Sequence, residues 1–195
     1  MLYIFAIIIS YLLGSIPFGL LITRFAGRGD LRQVGSGNIG ATNVMRVGGL
    51  RMAALVWILD MAKAICAVLL GRFIGGDVFA AWCGVAAVIG HCFPIWMRFH
   101  GGKGVSCLFG MLLAINPIMF IVCGIEWLIV ALSTGYSSAG ALTVFVVAPV
   151  LGFAINSGLG IALLVTVLLE VWLHRENIGR LVGGTESKIT WRWKK

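Results

Sequence analysis

The fold is decided by the first stretch of the chain, Leu2-Tyr-Ile-Phe-Ala-Ile-Ile-Ile-Ser-Tyr-Leu-Leu-Gly-Ser-Ile-Pro-Phe-Gly-Leu-Leu-Ile-Thr23. No side chain in it is charged. As a helix it rises about 33 Å, enough to cross a hydrocarbon core of about 30 Å. Arg24 and Arg28 follow at once, and nothing basic precedes it. The run is too long for the apolar region of a signal peptide. It reads as a retained first span whose N-terminus lies outside.

Six further apolar segments follow, at 52–71, 78–97, 104–115, 117–132, 139–155 and 158–173. Hydrophobic residues make up 60% of the 195, and charged residues only 11%. Soluble domains carry about 25% charge, and the mean hydropathy here is +1.03. Both a soluble globular domain and a disordered chain are excluded. The expectation is an all-α integral membrane protein, one membrane domain over residues 1–195.

Segment 104–115 is the short one, rising about 18 Å as a helix. As a re-entrant piece, or merged with the next segment around Pro117, it would leave six crossings. Charge decides the count. With seven spans the inside segments are 24–51, 98–103, 133–138 and the tail 174–195. They hold Arg24, Arg28, Arg32, Arg46, Arg51, Arg98, Lys103, Arg175, Arg180, Lys188, Arg192, Lys194 and Lys195, which is 13 of the 15 basic residues. Six spans would move the basic tail outside, against the positive-inside rule. The reading is therefore seven transmembrane helices, N-terminus outside and C-terminus cytoplasmic, with short spans completed by ordered ends or a thinner bilayer. The net charge of +8, which in a soluble protein would suggest nucleic acid, becomes a topology signal. No nucleic-acid partner is expected.

Five cysteines lie in or beside the apolar runs, without a CxxC pair or metal-ligand spacing. They read as buried small side chains, with neither a disulfide framework nor a metal site. Asp60 and Lys63, one turn apart in the second segment, read as an intramembrane pair, with Glu126 a further charge at depth. Trp57, Trp96, Trp172 and Tyr136 read as interface anchors, and Gly71-Arg-Phe-Ile-Gly75 as a weak helix-packing motif.

The unusual chemistry lies in the inside segments. The first reads Val34-Gly-Ser-Gly-Asn-Ile-Gly-Ala-Thr-Asn-Val-Met-Arg46. Glycines such as Gly37 let backbone N–H groups converge on an anion. Ser36, Asn38, Thr42 and Asn43 add neutral donors, and Arg46 a fork suited to phosphate. Gly35 to Gly40 matches GxGxxG, but no βαβ unit surrounds it, so a dinucleotide site is discounted. The bland alternative is a flexible linker.

The second, around His100-Gly-Gly-Lys-Gly104, puts Lys103 among Gly101, Gly102 and Gly104 at the start of an apolar helix, an anion site by charge and by free N–H groups. His91 reads as a structural hydrogen-bonder or a base, and His100 as a loop residue. In the third, Ser137 or Ser138 caps the following helix; a phosphate donor at Ser138 is the sharper alternative. At the end of the last span Glu170, His174 and Asn177 share a helix face. There Glu170 is expected to orient His174 and keep it protonated, unless this is only a snorkelling helix end. Glu186, in Gly183-Gly-Thr-Glu-Ser-Lys188, is placed to neutralise an arginine. Arg46, Lys103, His174 and Arg180 are expected to converge on phosphate. A one-sided phosphate site at the mouths of apolar helices suggests a substrate with a phosphate head and a lipid tail.

Gly14-Ser-Ile-Pro-Phe-Gly19, Gly35 to Asn43 with Arg46, Gly90-His-Cys-Phe-Pro94, Phe99-His-Gly-Gly-Lys-Gly-Val105 and His174-Arg-Glu-Asn177 resemble the bacterial acyl-phosphate:glycerol-3-phosphate acyltransferase family (PlsY type). The resemblance covers nearly the whole chain, with Ser106-Cys107 as a small departure. It implies a seven-span inner-membrane enzyme that moves a fatty acyl group from acyl phosphate to the first hydroxyl of glycerol 3-phosphate. The products are lysophosphatidic acid and phosphate. It assigns the Lys103 loop to glycerol 3-phosphate and marks Ser36, Asn38, Arg46, His174, Asn177 and Glu186 as important for activity. Partners are then the two substrates and membrane lipid, with no cofactor, no metal and no obligate protein partner.

Acyl phosphate is a mixed anhydride and already activated, so no covalent nucleophile is needed. No GxSxG elbow occurs, and the HxxxxD signature of thioester-using acyltransferases is absent after His91, His100 and His174. Positioning and electrostatics carry the reaction. The attacking hydroxyl's proton is expected to pass to a substrate phosphate, a histidine being the alternative. An organic-phosphate transporter or exchanger is the competing function, but its site belongs near the midplane.

Overall fold

A computed structural model describes residues 1–189; Arg192, Lys194 and Lys195 of the basic tail lie outside the described residues. The helices are α1 (Leu2–Gly14), α2 (Phe18–Phe25), α3 (Ala41–Gly48), α4 (Leu50–Cys92), α5 (Val105–Ile115), α6 (Pro117–Thr134), α7 (Ser137–Ile155), α8 (Ser157–Leu173) and α9 (Arg175–Val182). No strand occurs among the described residues. Four stretches are long and apolar enough to cross a membrane: Leu2–Phe25, Leu50–Met97, Pro117–Thr134 and Ser137–Ile155. A fifth joins them when α8 and α9, bent by 58°, are taken together.

The opening stretch is not one continuous helix. It breaks between Gly14 and Phe18, because Pro17 lacks an N–H and disfavours helical backbone at Ile16. The break takes the Ile16 carbonyl out of helical pairing, and it accepts from Phe18 N–H at 3.1 Å and from Lys63 Nζ at 2.8 Å. Stretch 50–92 is a hairpin of two limbs. Gly75 and Gly76 leave helical geometry, Gly76 with φ +74°, a conformation open to glycine. Arg72 and Asp77 pair across this turn at 2.7 Å. Lys63 Nζ lies 3.0 Å from His91 Nδ1, whereas an unbroken helix would separate them by about 42 Å. The expected segment 78–97 ends early, at Cys92, since Pro94 cannot continue a helix.

Segments 104–115 and 117–132 do not merge. Asn116 leaves helical backbone and caps α6, its Oδ1 accepting from Ile118 N–H at 2.8 Å, with Pro117 as first helical residue. Phe109 and Phe120 then meet edge to face at 6.0 Å, so the chain doubles back there.

α1 packs on α4, α4 on α5, and α6, α7 and α8 on one another in sequence, with α8 returning to α4. Small residues set the closest crossing. A methyl group at Gly90 would overlap the Tyr11 carbonyl, and one at Gly14 the Ala87 carbonyl. Leu108, Met111, Leu112, Val144 and Leu163 fill the interior. The outer surface is apolar too: Phe5, Ile58, Phe73, Ile118, Ile129, Val146 and Leu168 are all exposed, more apolar surface than water tolerates. Trp96 and Trp172 are exposed, whereas Trp57 is drawn inward against Phe109.

Candidate functional site

The first inside segment is a built loop. Gly35 and Gly37 take positive φ, and the loop closes around the buried Asn43 of α3. Asn43 Nδ2 donates to the carbonyls of Leu31, Val34 and Asn38 at 3.2, 2.9 and 2.9 Å, while its Oδ1 accepts from Ser36 N–H at 3.0 Å. The flexible-linker alternative fails on this geometry. Asn38 Oδ1 accepts from Gly40 N–H at 3.0 Å, holding the turn into α3. The Ser36 side chain stands in the open. Thr42 Oγ1 meets Ser137 Oγ at 3.2 Å, a link no motif announced.

Glu186 is the hub that joins the remaining segments. Its Oε1 accepts from Ser138 Oγ at 2.7 Å and from Asn177 Nδ2 at 2.6 Å, and its Oε2 from Arg180 Nε at 2.6 Å. Asn177 Oδ1 in turn accepts from Lys103 Nζ. Arg46 reaches the carbonyl of Ser187, next in sequence to the hub, at 3.5 Å. Ile189 N–H donates to Gly135 O at 2.8 Å, so the tail crosses the α6–α7 turn. Arg46, Lys103, Ser138, Asn177, Arg180 and Glu186 thus belong to one connected cluster. Its three cations outnumber the two carboxylates near them, Glu186 and Glu176, the latter 3.9 Å from Arg180, an excess suited to an anion. Burial pushes the Lys103 ammonium below its ordinary pKa, as does the charge of Arg180, with Glu176 and Glu186 opposing. Burial raises Glu186, but hydrogen bonds from Ser138, Arg180 and Asn177 outweigh it and hold the carboxyl below the ordinary value of 4.5.

Several expectations change. Neither Ser137 nor Ser138 caps α7: its N-cap is Tyr136, without a side-chain bond, and both hydroxyls are taken by partners from other segments. Glu170 orients His174 through its backbone: Nδ1 lies 2.8 Å from the Glu170 carbonyl. The Glu170 carboxylate turns instead toward Gly104, where a side chain would overlap it. The stated reason for a protonated His174 therefore falls away, and its Nδ1 carries the hydrogen, since a carbonyl only accepts. The Gly101 and Gly102 N–H groups are not free for an anion; they donate to Cys92 O and His91 O, each at 3.0 Å. His100 Nδ1 sits 2.6 Å from Arg98 O, within its own loop.

Asp60 and Lys63 pair as expected, at 2.7 Å. His91, 28 positions on, completes a buried triad that sequence reasoning missed. The Gly75-Gly76 pair was the available signal. A hairpin there brings 63 and 91 to similar depth.

A family model described as glycerol-3-phosphate acyltransferase matches residues 4–184. The chain belongs to the glycerol-3-phosphate acyltransferase family. A glycerol-3-phosphate acyltransferase of Rhizobium etli is 48% identical over 185 residues, covering 94% of this chain and 90% of that one. One of Agrobacterium fabrum is 47% identical over 186 residues, with the same coverage. The crystal structure of PlsY, an integral membrane glycerol 3-phosphate acyltransferase, in its glycerol 3-phosphate form, superposes with a TM-score of 0.92 at 35% identity and covers 96% of both chains. Its lysophosphatidic acid form gives 0.89 at 33% identity, covering 97% of this chain and 96% of that one. As a member of this acyltransferase family the chain is an enzyme of acyl transfer to glycerol 3-phosphate, and the cluster around Glu186 is its candidate site.

Proposed function

We propose that this acyltransferase uses acyl phosphate as donor and acylates the sn-1 hydroxyl of glycerol 3-phosphate, as one membrane domain of seven spans with its N-terminus outside and its site on the cytoplasmic face of the bacterial inner membrane. The observation that carries this reading is the cationic cluster that ties Lys103, Asn177, Glu186, Ser138 and Arg180 together at the ends of apolar helices. Such a site suits a substrate pair with two phosphates and one acyl chain.

In this reading Lys103, with Gly101, Gly102 and Gly104 shaping its loop, holds the phosphate of glycerol 3-phosphate. Arg46, with Ser36, Gly37, Asn38 and Thr42, receives the acyl-phosphate group. Asn43 serves by holding that loop in shape, its amide being engaged there. The glycerol hydroxyl oxygen bonds to the acyl carbon, and the bond from that carbon to the phosphate oxygen breaks. The hydroxyl proton passes to a substrate phosphate, and phosphate leaves. His174, with Nδ1–H committed to a carbonyl, offers Nε2 to the reactants. Asn177 spans Lys103 and Glu186, so Ser138, Arg180 and Glu186 fix the frame. Cations and positioned donors lower the barrier by screening two phosphates that would repel.

The test is incubation of purified protein with acyl phosphate and radiolabelled glycerol 3-phosphate. Radiolabelled lysophosphatidic acid acylated at C1 is expected, and none with an acyl-thioester donor. Absence of product, with uptake of glycerol 3-phosphate into vesicles, would establish a transporter. Near-normal transfer by Asn38→Ala or His174→Ala would overturn the site assignment.

A further inference from the structure

We propose that Asp60, Lys63 and His91 form a buried brace that sets the position of the Gly101-Gly102-Lys103 loop, and that His91 is thereby a positioning residue for glycerol 3-phosphate. The proposal rests on the reading above that this loop holds the substrate phosphate.

All three side chains are withdrawn from the surface: Asp60, Lys63 and His91 are 1%, 4% and 4% exposed. Lys63 Nζ lies 2.7 Å from Asp60 Oδ1, 3.0 Å from His91 Nδ1 and 2.8 Å from the carbonyl of Ile16. It therefore ties three segments of chain together. An ammonium only donates, so His91 Nδ1 accepts and the ring hydrogen sits on Nε2. The Nε2 edge faces Gly102 so closely that even a methyl group there would overlap it. The backbone completes the seat: Gly102 N–H donates to His91 O and Gly101 N–H to Cys92 O, each at 3.0 Å. Lys103 follows directly and reaches Asn177.

An ion pair in an apolar bundle is costly to bury and invites a purpose. Here it fixes the imidazole in rotation and tautomer, and the imidazole is the wall on which the loop rests. The brace touches no substrate. Its effect is the placing of Lys103, and misplacing a binding group by an ångström costs up to about a hundredfold. The loop it seats is the one read above as holding glycerol 3-phosphate, so the loss should fall on that substrate alone.

The experiment uses full-length protein in nanodiscs and reads three quantities: equilibrium binding of radiolabelled glycerol 3-phosphate, KM for each substrate, and the thermal unfolding midpoint. His91→Ala is expected to raise KM and Kd for glycerol 3-phosphate about tenfold, with KM for the acyl donor within about twofold. Asp60→Asn combined with Lys63→Met, which leaves no lone buried charge, is expected to move the same constant in the same direction. His91→Gln, which keeps a polar group near the Nε2 position, recovers part of the loss. Gly102→Ala raises the same KM by pushing against the ring. Combined with His91→Ala it costs less than the product of the two effects, because the wall it meets is gone. Independent effects in that cycle, or equal changes for both substrates, overturn the brace. So does unchanged glycerol 3-phosphate binding in His91→Ala and the double variant. If either ring variant does not fold, the Asp60/Lys63 double variant and Gly102→Ala decide the question by the same split between substrates. Lys103→Met separates the two layers. If it leaves glycerol 3-phosphate binding intact, the loop reading itself fails; if it abolishes binding while the brace variants bind normally, only the brace fails.

Discussion

Glu186 joins α7 to α9 at the site, accepting from Ser138, Asn177 and Arg180 at once. Glu186→Gln keeps the shape but replaces one acceptor oxygen by a donor, and acyl transfer is expected to fall by about two orders of magnitude. Its pH signature follows from linkage. The folded-state pKa lies below the ordinary 4.5, so the carboxylate adds stability above the unfolded value and loses it as pH falls through the folded one. In thermal unfolding, the advantage of the native protein over Glu186→Gln should therefore be full at pH 7 and shrink below about pH 4. An advantage that grew in acid would contradict this geometry. Asn43→Ala should act differently, lowering stability by about 2 kcal/mol along with activity, because three carbonyls and one N–H lose their partner; calorimetry of the purified variant checks it. The residue types were legible in the sequence, since phosphate asks for Lys, Arg, Asn, Ser and glycine-rich backbone. Their partners were not. Nothing in the spacing of Asn43 tells that its amide folds back on its own loop, or that Glu170 meets His174 through a carbonyl.

At the level of helices, glycine separates into those that admit a neighbour and those that do not. Gly90 lies against the Tyr11 carbonyl, while Gly124 of α6 has open space around it. Gly90→Leu should push α1 from the second limb of α4 and cost about 1–3 kcal/mol. Gly124→Ala should be neutral or stabilising, by up to about 1 kcal/mol, through helix propensity alone. A comparison of unfolding midpoints in one detergent decides both. The apolar segments were readable because hydrophobic runs of that length have one physical solution. Their breaks were harder. Pro17 and Pro94 stood in plain view inside runs hydrophobic enough to hide them, and Gly75-Gly76 marked a turn whose consequence, two limbs in register, depends on contacts far apart in the chain.

For the whole molecule, the proposed topology puts the cluster and the tail on one side. A fluorescent protein that matures only in the cytoplasm should light up when fused after Lys195 and stay dark when fused before Met1. The reverse pattern would place the site outside. Composition alone reached the membrane, whereas the proposed sidedness rests on where the cations sit. The broken first span has a consequence for how the chain is made. Asp60 and Lys63 must enter the bilayer during synthesis, and a charged residue at the centre of an inserting helix costs about 2.5–3.5 kcal/mol. The partner each needs first is available by then: the two sit one turn apart, and Ile16, whose carbonyl the break at Pro17 takes out of helical pairing, precedes them in the chain. The break after the first helix thus leaves an acceptor in place for the lysine that follows, and assembly from the N-terminus needs no stage at which that charge stands alone.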